Sequence, residues 1–126
     1  MNVVDSSAWL EYFAGTPGAA PFAASIEDTK KLIVPAITIA EVFKRVLQQR
    51  DETSAIRAVA VMQQGEIVAV DAALAVSAAR IGAKYKLPLA DSLIYATALQ
   101  RDATLWTQDE HFKGLPGVKY FAKARS

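Results

Sequence analysis

Four carboxylates stand at positions where solubility alone does not call for a charge. Asp5 closes the apolar run Asn2-Val3-Val4, and Glu41 follows Thr38-Ile39-Ala40 at the head of an amphipathic segment. Asp91 lies inside Leu87-Pro88-Leu89-Ala90-Asp91-Ser92-Leu93-Ile94-Tyr95-Ala96, and Asp109 comes just after Leu105-Trp106-Thr107. Each has a local explanation. Asp5 and Asp109 are good N-cap residues, Thr38 and Glu41 have capping-box spacing, and Asp91 suits the first turn of a helix that Pro88 introduces. A cap contributes about 1 kcal/mol, enough to account for any one of them and less satisfactory for all four. Asp91 also precedes Ile94 and Tyr95 by three and four residues, so its carboxylate starts along a core-facing stripe that Ala98 and Leu99 continue. If the four acids share one crevice, their repulsion must be offset, and a hard divalent cation with oxygen ligands does this. Such an ion leaves open coordination for a phosphate and a water, which is the chemistry of metal-assisted phosphodiester hydrolysis.

The elements that would bring the acids together can be read from periodicity. Short apolar runs at 2–4, 32–34 (closed by Pro35), 67–70, 105–107 and 118–121 read as strands. Between them lie helical patterns: one opening at Ser6-Ser7 with Trp9, Leu10 and Phe13; a second over 19–31; a third from Thr38 to about Arg50; and a fourth over 52–64, with Ile56, Val59 and Ala60 on one side and Gly65 ending it. A helix carrying Leu74, Ala78 and Ile81 follows Asp71, and another runs from about Pro88 to Arg101. The alternation predicts an α/β fold with a central, mostly parallel sheet of about five strands flanked by helices on both faces. In such sheets ligands sit outside the carboxyl ends of the strands, which is where Asp5, Glu41, Asp91 and Asp109 would fall.

Composition narrows the chemistry. A chain of 126 residues, 52% hydrophobic, fits one domain over 1–126. Fourteen Lys and Arg against 13 Asp and Glu give no overall polycationic character, so any nucleic-acid role depends on local clustering. There is no cysteine and one histidine, His111, so thiolate sites and histidine clusters are excluded and any metal must be held by oxygen. With no apolar run near the length of a membrane span and no basic leader, a soluble, cytoplasmic protein without a membrane partner is expected.

The motifs Val3-Val4-Asp5-Ser6-Ser7, Thr38-Ile39-Ala40-Glu41-Val42, Leu87-Pro88-Leu89-Ala90-Asp91-Ser92-Leu93-Ile94 and Leu105-Trp106-Thr107-Gln108-Asp109 occur in this order across nearly the whole chain. Together they resemble the PIN-domain ribonucleases of the VapC toxin type. The resemblance implies a three-layer PIN-like sandwich and binding of Mg²⁺ or Mn²⁺ by Asp5, Glu41, Asp91 and Asp109, with Thr107 as a supporting hydroxyl. It further implies cleavage of single-stranded RNA, a homodimer, and a VapB-type antitoxin as partner. Gln108 departs from the family pattern, where Asn often separates the Thr from the Asp, but it leaves the acid in place.

Other residues carry less weight. Asp71 is expected to cap its helix, Glu11 to be an exposed charge near the rim, and His111 to be a solvated loop histidine. Lys44, Arg45, Arg80, Lys84, Lys86 and Lys113 read as a solvated face, with one or two touching RNA. Trp9, Tyr12, Phe13, Phe43 and Tyr95 read as core or interface. The helices at 8–13 and 41–62 carry more apolar surface than a small sheet covers, which suits a second copy or an antitoxin. Two competing functions remain. A phosphoacceptor receiver domain would use Asp71 and Thr107 but lacks an acidic pair at Asp5. A catalytically silent PIN-fold binding module would have no use for four intact acids.

Overall fold

The computed structural model describes residues 1–123, so the last three positions of the domain expected over 1–126 lie outside the described residues. Five strands, Asn2–Val4 (β1), Leu32–Pro35 (β2), Glu66–Val68 (β3), Thr104–Thr107 (β4) and Val118–Tyr120 (β5), pair in parallel in the order β3-β2-β1-β4-β5. Strand β1 is central because its neighbours cover both of its edges. Its partners are set by register: Val3 lies opposite Ile33 on one side and Leu105 on the other. Apolar runs without polar alternation, such as Leu32-Ile33-Val34, suit strands buried on both faces.

Side chains alternate between two cores. Val4, Leu32, Val34 and Trp106 face one side, against Trp9 of helix α1 (Ser6–Ala14), Phe22 and Ile26 of α2 (Ala20–Glu27), Val42 and Val46 of α3 (Ala36–Gln49), and Ala55, Ala58 and Met62 of α4 (Glu52–Met62). Val3, Ile33 and Leu105 face the other, against Ile94, Tyr95 and Ala98 of α6 (Leu89–Gln100), over which α5 (Ala72–Tyr85) packs through Leu74 and Ala78. This is the expected three-layer α/β sandwich. Helix α6 is apolar nearly all round because it is covered by both the sheet and α5; Ser92 and residues 94–98 are buried.

Several elements differ from expectation for identifiable reasons. Helix α2 stops at Glu27, since Asp28-Thr29-Lys30-Lys31 offers no apolar residue to bury and folds as a separate 3₁₀ turn. The capping box at Thr38 does not form. Helix α3 begins two residues earlier at Ala36, Thr38 Oγ1 donates to the Pro35 carbonyl at 2.7 Å, and Glu41 falls in the second turn. The buried stripe of α4 is Ala55, Ala58 and Met62, leaving Ile56 56% exposed. Strand β3 ends at Val68, with Val70 exposed, and Leu99 lies off the buried face of α6. Asp71 caps α5 as expected, accepting from the Leu74 N–H at 2.8 Å.

Candidate metal centre

Strand order reverses at β1: the chain leaves it for β2 on one side and returns to β4 on the other. The crevice at the carboxyl ends of β1 and β4 is therefore a topological switch point. Asp5 follows β1 directly and caps α1, its Oδ1 accepting from the Ala8 N–H at 3.1 Å. Asp109 lies two residues beyond β4 and caps the 3₁₀ turn Glu110–Phe112. Asp91 sits in the first turn of α6, which runs back toward the start of β4 and so presents its N-terminus to the same end of the sheet. Glu41 approaches from α3, the helix that follows β2.

Asp5 is the most constrained of the four. It is only 2% exposed, Thr107 Oγ1 donates to its Oδ2 at 2.8 Å, and Ser7 Oγ lies 2.9 Å from each of its oxygens. Burial nonetheless pushes its carboxyl up to about 7, with the Asp109 charge acting in the same direction and the Ala8, Thr107 and Ser7 donors opposing. Thr107, itself fully buried, also accepts from the Asp109 N–H at 2.9 Å. One hydroxyl thus fixes Asp5 relative to the loop that carries Asp109.

Asp91 has 15% of its side chain exposed and Asp109 has 28%. Burial raises the Asp91 pKa; the His111 hydrogen bond opposes this, and the charges of Asp109 and Glu41 add to it. Asp109 acts on Asp5 as well, so the four carboxylates form a chain of electrostatic neighbours. Among the described residues, Asp91, Asp109 and His111 offer ligand atoms that all lie within 4.8 Å of one another. Asp5 and Glu41 do not join that compact trio. Asp5 is tied to it through Thr107, and Glu41 is held by Ser6 Oγ, which donates to its Oε1 at 2.6 Å.

His111 was expected to be a solvated loop residue, and this is corrected. Its ring is exposed, but Nδ1 lies 2.9 Å from Asp91 Oδ2 and 3.3 Å from Asp109 Oδ1. The Asp91 hydrogen bond, followed by the Asp109 charge, raises its pKa. The cause is the 3₁₀ turn, which folds the chain back two residues after Asp109. Ser6 and Ser7 were also without an expected role; the signal for them was their place beside Asp5 at the start of α1. Asp71, the residue a receiver domain would phosphorylate, follows the edge strand β3, separated by β2 from the β1–β4 crevice.

The donor set suits a hard divalent cation. Carboxylate oxygens predominate, one buried acid has no cationic partner among the described residues, and a single imidazole nitrogen adjoins two of the acids. Such a cation would compensate the repulsion among these groups and the desolvation of Asp5.

Comparison with known proteins agrees with the architecture. The sequence matches the family profile described as PIN domain over residues 3–118. Among solved structures, a toxin–antitoxin complex from Klebsiella pneumoniae contains a chain with TM-score 0.80 and 24% identity, covering 94% of this chain and 96% of that one. VapC20 from Mycobacterium tuberculosis, a Sarcin-Ricin loop cleaving toxin, gives TM-score 0.78 at 16% identity, covering 94% and 97%. The DNA-bound VapBC from Salmonella typhimurium gives 0.76 at 16% identity, covering 96% of each chain. No curated protein sequence matches significantly.

Proposed function

The chain belongs to the PIN-domain family, and from that premise we propose that it is a Mg²⁺- or Mn²⁺-dependent endoribonuclease that cuts single-stranded RNA as the toxin of a toxin–antitoxin pair. The observation that carries the proposal is Asp5, a carboxyl 2% exposed whose pKa burial raises to about 7, in the field of Asp109 and with no basic residue bonded to it among the described residues. A buried acid without a cationic partner is costly, and a bound cation relieves that cost.

Asp5, Glu41, Asp91 and Asp109 would hold the ion. When bound, a hard divalent cation polarises the phosphodiester, lowers the pKa of an attacking water and stabilises the departing oxygen. The chain's own residues supply orientation. Thr107 fixes the Asp5 carboxylate and the Asp109 backbone with one hydroxyl, Ser7 adds a second donor to Asp5, and Ser6 aims Glu41. His111 Nδ1 holds a proton between Asp91 and Asp109 when the imidazole is charged.

The toxin role is supported by likeness to chains from toxin–antitoxin and VapBC complexes, and cleavage of RNA by likeness to a chain that cleaves the Sarcin-Ricin loop. For a VapB-type antitoxin, the chain offers a groove of about 550 Å³ between α1, α3 and α4, lined by Leu10, Phe13, Val46 and Val61 and rimmed by Arg50 and Arg57. Leu89, 72% exposed at the start of α6, and Val76, 54% exposed on α5, are apolar residues that a homodimer would cover. A cytoplasmic location is part of the proposal; no helix among the described residues is long and apolar enough to cross a membrane.

Cleavage of a single-stranded RNA in Mn²⁺, abolished by a chelator and by Asp91→Asn while the fold is retained, is the expected result. Full activity of Asp91→Asn would overturn the assignment of the site. An inert wild-type chain would favour the silent binding module. The toxin role is tested separately: induction should arrest growth, and co-expression of a cognate antitoxin should relieve the arrest.

A further inference from the structure

Beside the acids lies a second, open cavity of about 570 Å³ that shares Asp109 with the proposed metal centre and also takes in Glu110. Asp109 and His111 form its wall toward the metal centre, Ser7 and Gln108 belong to its polar lining, and Tyr120 and Lys123 come from the end of β5 and the chain beyond it. A volume of this size, within the range of about 300–1,000 Å³ typical of small-ligand sites, accommodates one nucleoside with its phosphate.

The register of the sheet explains why an aromatic ring stands there. Tyr120 pairs with Thr107 across β4 and β5, so its side chain leaves the sheet on the same face as the hydroxyl that fixes Asp5. Tyr120 is half-buried, and Lys113 Nζ lies 5.6 Å from its ring centroid. One strand position earlier the arrangement recurs on the opposite face, where Lys119 Nζ stands 4.9 Å from the ring of Trp106. On the face of the proposed cutting site, β5 therefore presents the half-buried ring of Tyr120 together with the exposed cation of Lys113, while the Lys119–Trp106 pair lies on the other face. Tyr120 supplies a face on which a base can stack, and Lys123 and Lys113 supply charge for the backbone. The buried amide of Gln108, whose Nε2 donates to the Ser7 carbonyl at 3.3 Å, gives the cavity a fixed polar surface. A fixed amide can distinguish base edges by hydrogen bonding.

We propose that this cavity is the subsite for the nucleoside adjoining the scissile phosphate, with Tyr120 as the stacking platform, Lys123 on the flanking phosphate and Gln108 contributing to base choice. This deepens the ribonuclease assignment and rests on it.

The test uses the full chain in Mn²⁺ with a fluorescent single-stranded RNA and with a randomised RNA pool. Tyr120→Leu keeps an apolar side chain at the strand position but removes the π-face; it is expected to raise KM at least about fivefold, the low end of base-stacking effects, and to leave kcat within about threefold. Tyr120→Phe should restore KM, which separates stacking from loss of fold. Lys123→Ala should raise KM and flatten its dependence on salt, because one phosphate contact is lost. Gln108→Ala should broaden the base preference at one position beside the cut while the other positions keep theirs. Unchanged KM and unchanged cut sites in Tyr120→Leu and Lys123→Ala, with the wild type active, would overturn the subsite and leave the ribonuclease standing. Absence of cleavage by the wild type would overturn the ribonuclease assignment and the subsite with it.

Discussion

The burial of Asp5 predicts that, without a metal, the protein is less stable at neutral than at acidic pH, and that removing its charge lessens this loss. The folded-state pKa is about 7 against an ordinary value of 3.8, with burial as the main cause. Between these values the folded chain holds a proton that the unfolded chain has released, so stability falls as pH rises through that window. At about 1.4 kcal/mol per decade, the gap sets a ceiling of about 4 kcal/mol. Asp91 and His111 also have raised values and tilt the curve in the same direction. The useful quantity is therefore the difference between wild type and Asp5→Asn, in which their contributions largely cancel. The Asn side chain can still accept from Ala8, and the hydroxyls of Ser7 and Thr107 can turn to receive its amide. Urea unfolding in a chelator, from about pH 5 to about pH 8, covers only the upper two decades of that window and should show wild type losing about 2.7 kcal/mol relative to Asp5→Asn. Adding Mn²⁺ at about 100 times its dissociation constant should restore about 2.7 kcal/mol to wild type and little to the variant. Parallel curves in chelator, or an Asp5→Asn protein markedly less stable than wild type near pH 8, would refute the view that this acid is held against its desolvation cost.

Three further outcomes are expected. Thr107→Val leaves the Asp109 N–H without its partner and takes from Asp5 Oδ2 one of its two hydroxyl donors, Ser7 remaining; at about 1–3 kcal/mol for the orphaned group and about 1 kcal/mol for the lost bond, urea unfolding should show a loss of about 2–4 kcal/mol, recovered mostly by Thr107→Ser. For His111, whose pKa is raised by Asp91 and Asp109, the proton is held below that raised value and released above it. Calorimetric titration with Mn²⁺ should therefore give tighter binding to His111→Asn than to wild type near about pH 6, with convergence near about pH 8.5; equal affinities at both would refute the competition. At Gly82, an added Cβ would collide with Ser92 Oγ across the α5–α6 contact. Gly82→Ala should lower the melting temperature by an amount equivalent to about 1–3 kcal/mol and should also reduce kcat, because the N-terminal turn of α6 carries Asp91 next to Ser92.

The contrast between Asp5 and His111 shows which parts of the site can be read along the chain. Asp5 is legible because two local signals meet in it. An apolar run ends at an acid, and a helix opens directly after, so strand end and N-cap coincide and fix its place at the carboxyl edge of the sheet. Asp109 and Asp91 are legible for similar reasons, one beyond a strand and the other in a helix's first turn. What local signals do not encode is the distance between elements. The approach of Nδ1 of His111 to Asp91 across 20 positions depends on a 3₁₀ turn after β4 meeting the start of α6, a tertiary coincidence without a periodic signature. Glu41 illustrates the opposite error. Its capping-box spacing is genuine, yet the helix starts at Ala36, where the strand ends at Pro35, and Glu41 is placed by Ser6 from the other side of the crevice. A helix boundary decided by where β2 stops overrode a motif worth about 1 kcal/mol. Its companion Thr38 then had only its own turn to bond, donating to the Pro35 carbonyl. The acids were thus readable as candidates at one end of the sheet, whereas the hydroxyls and the imidazole bonded to them were set by packing between elements far apart in sequence.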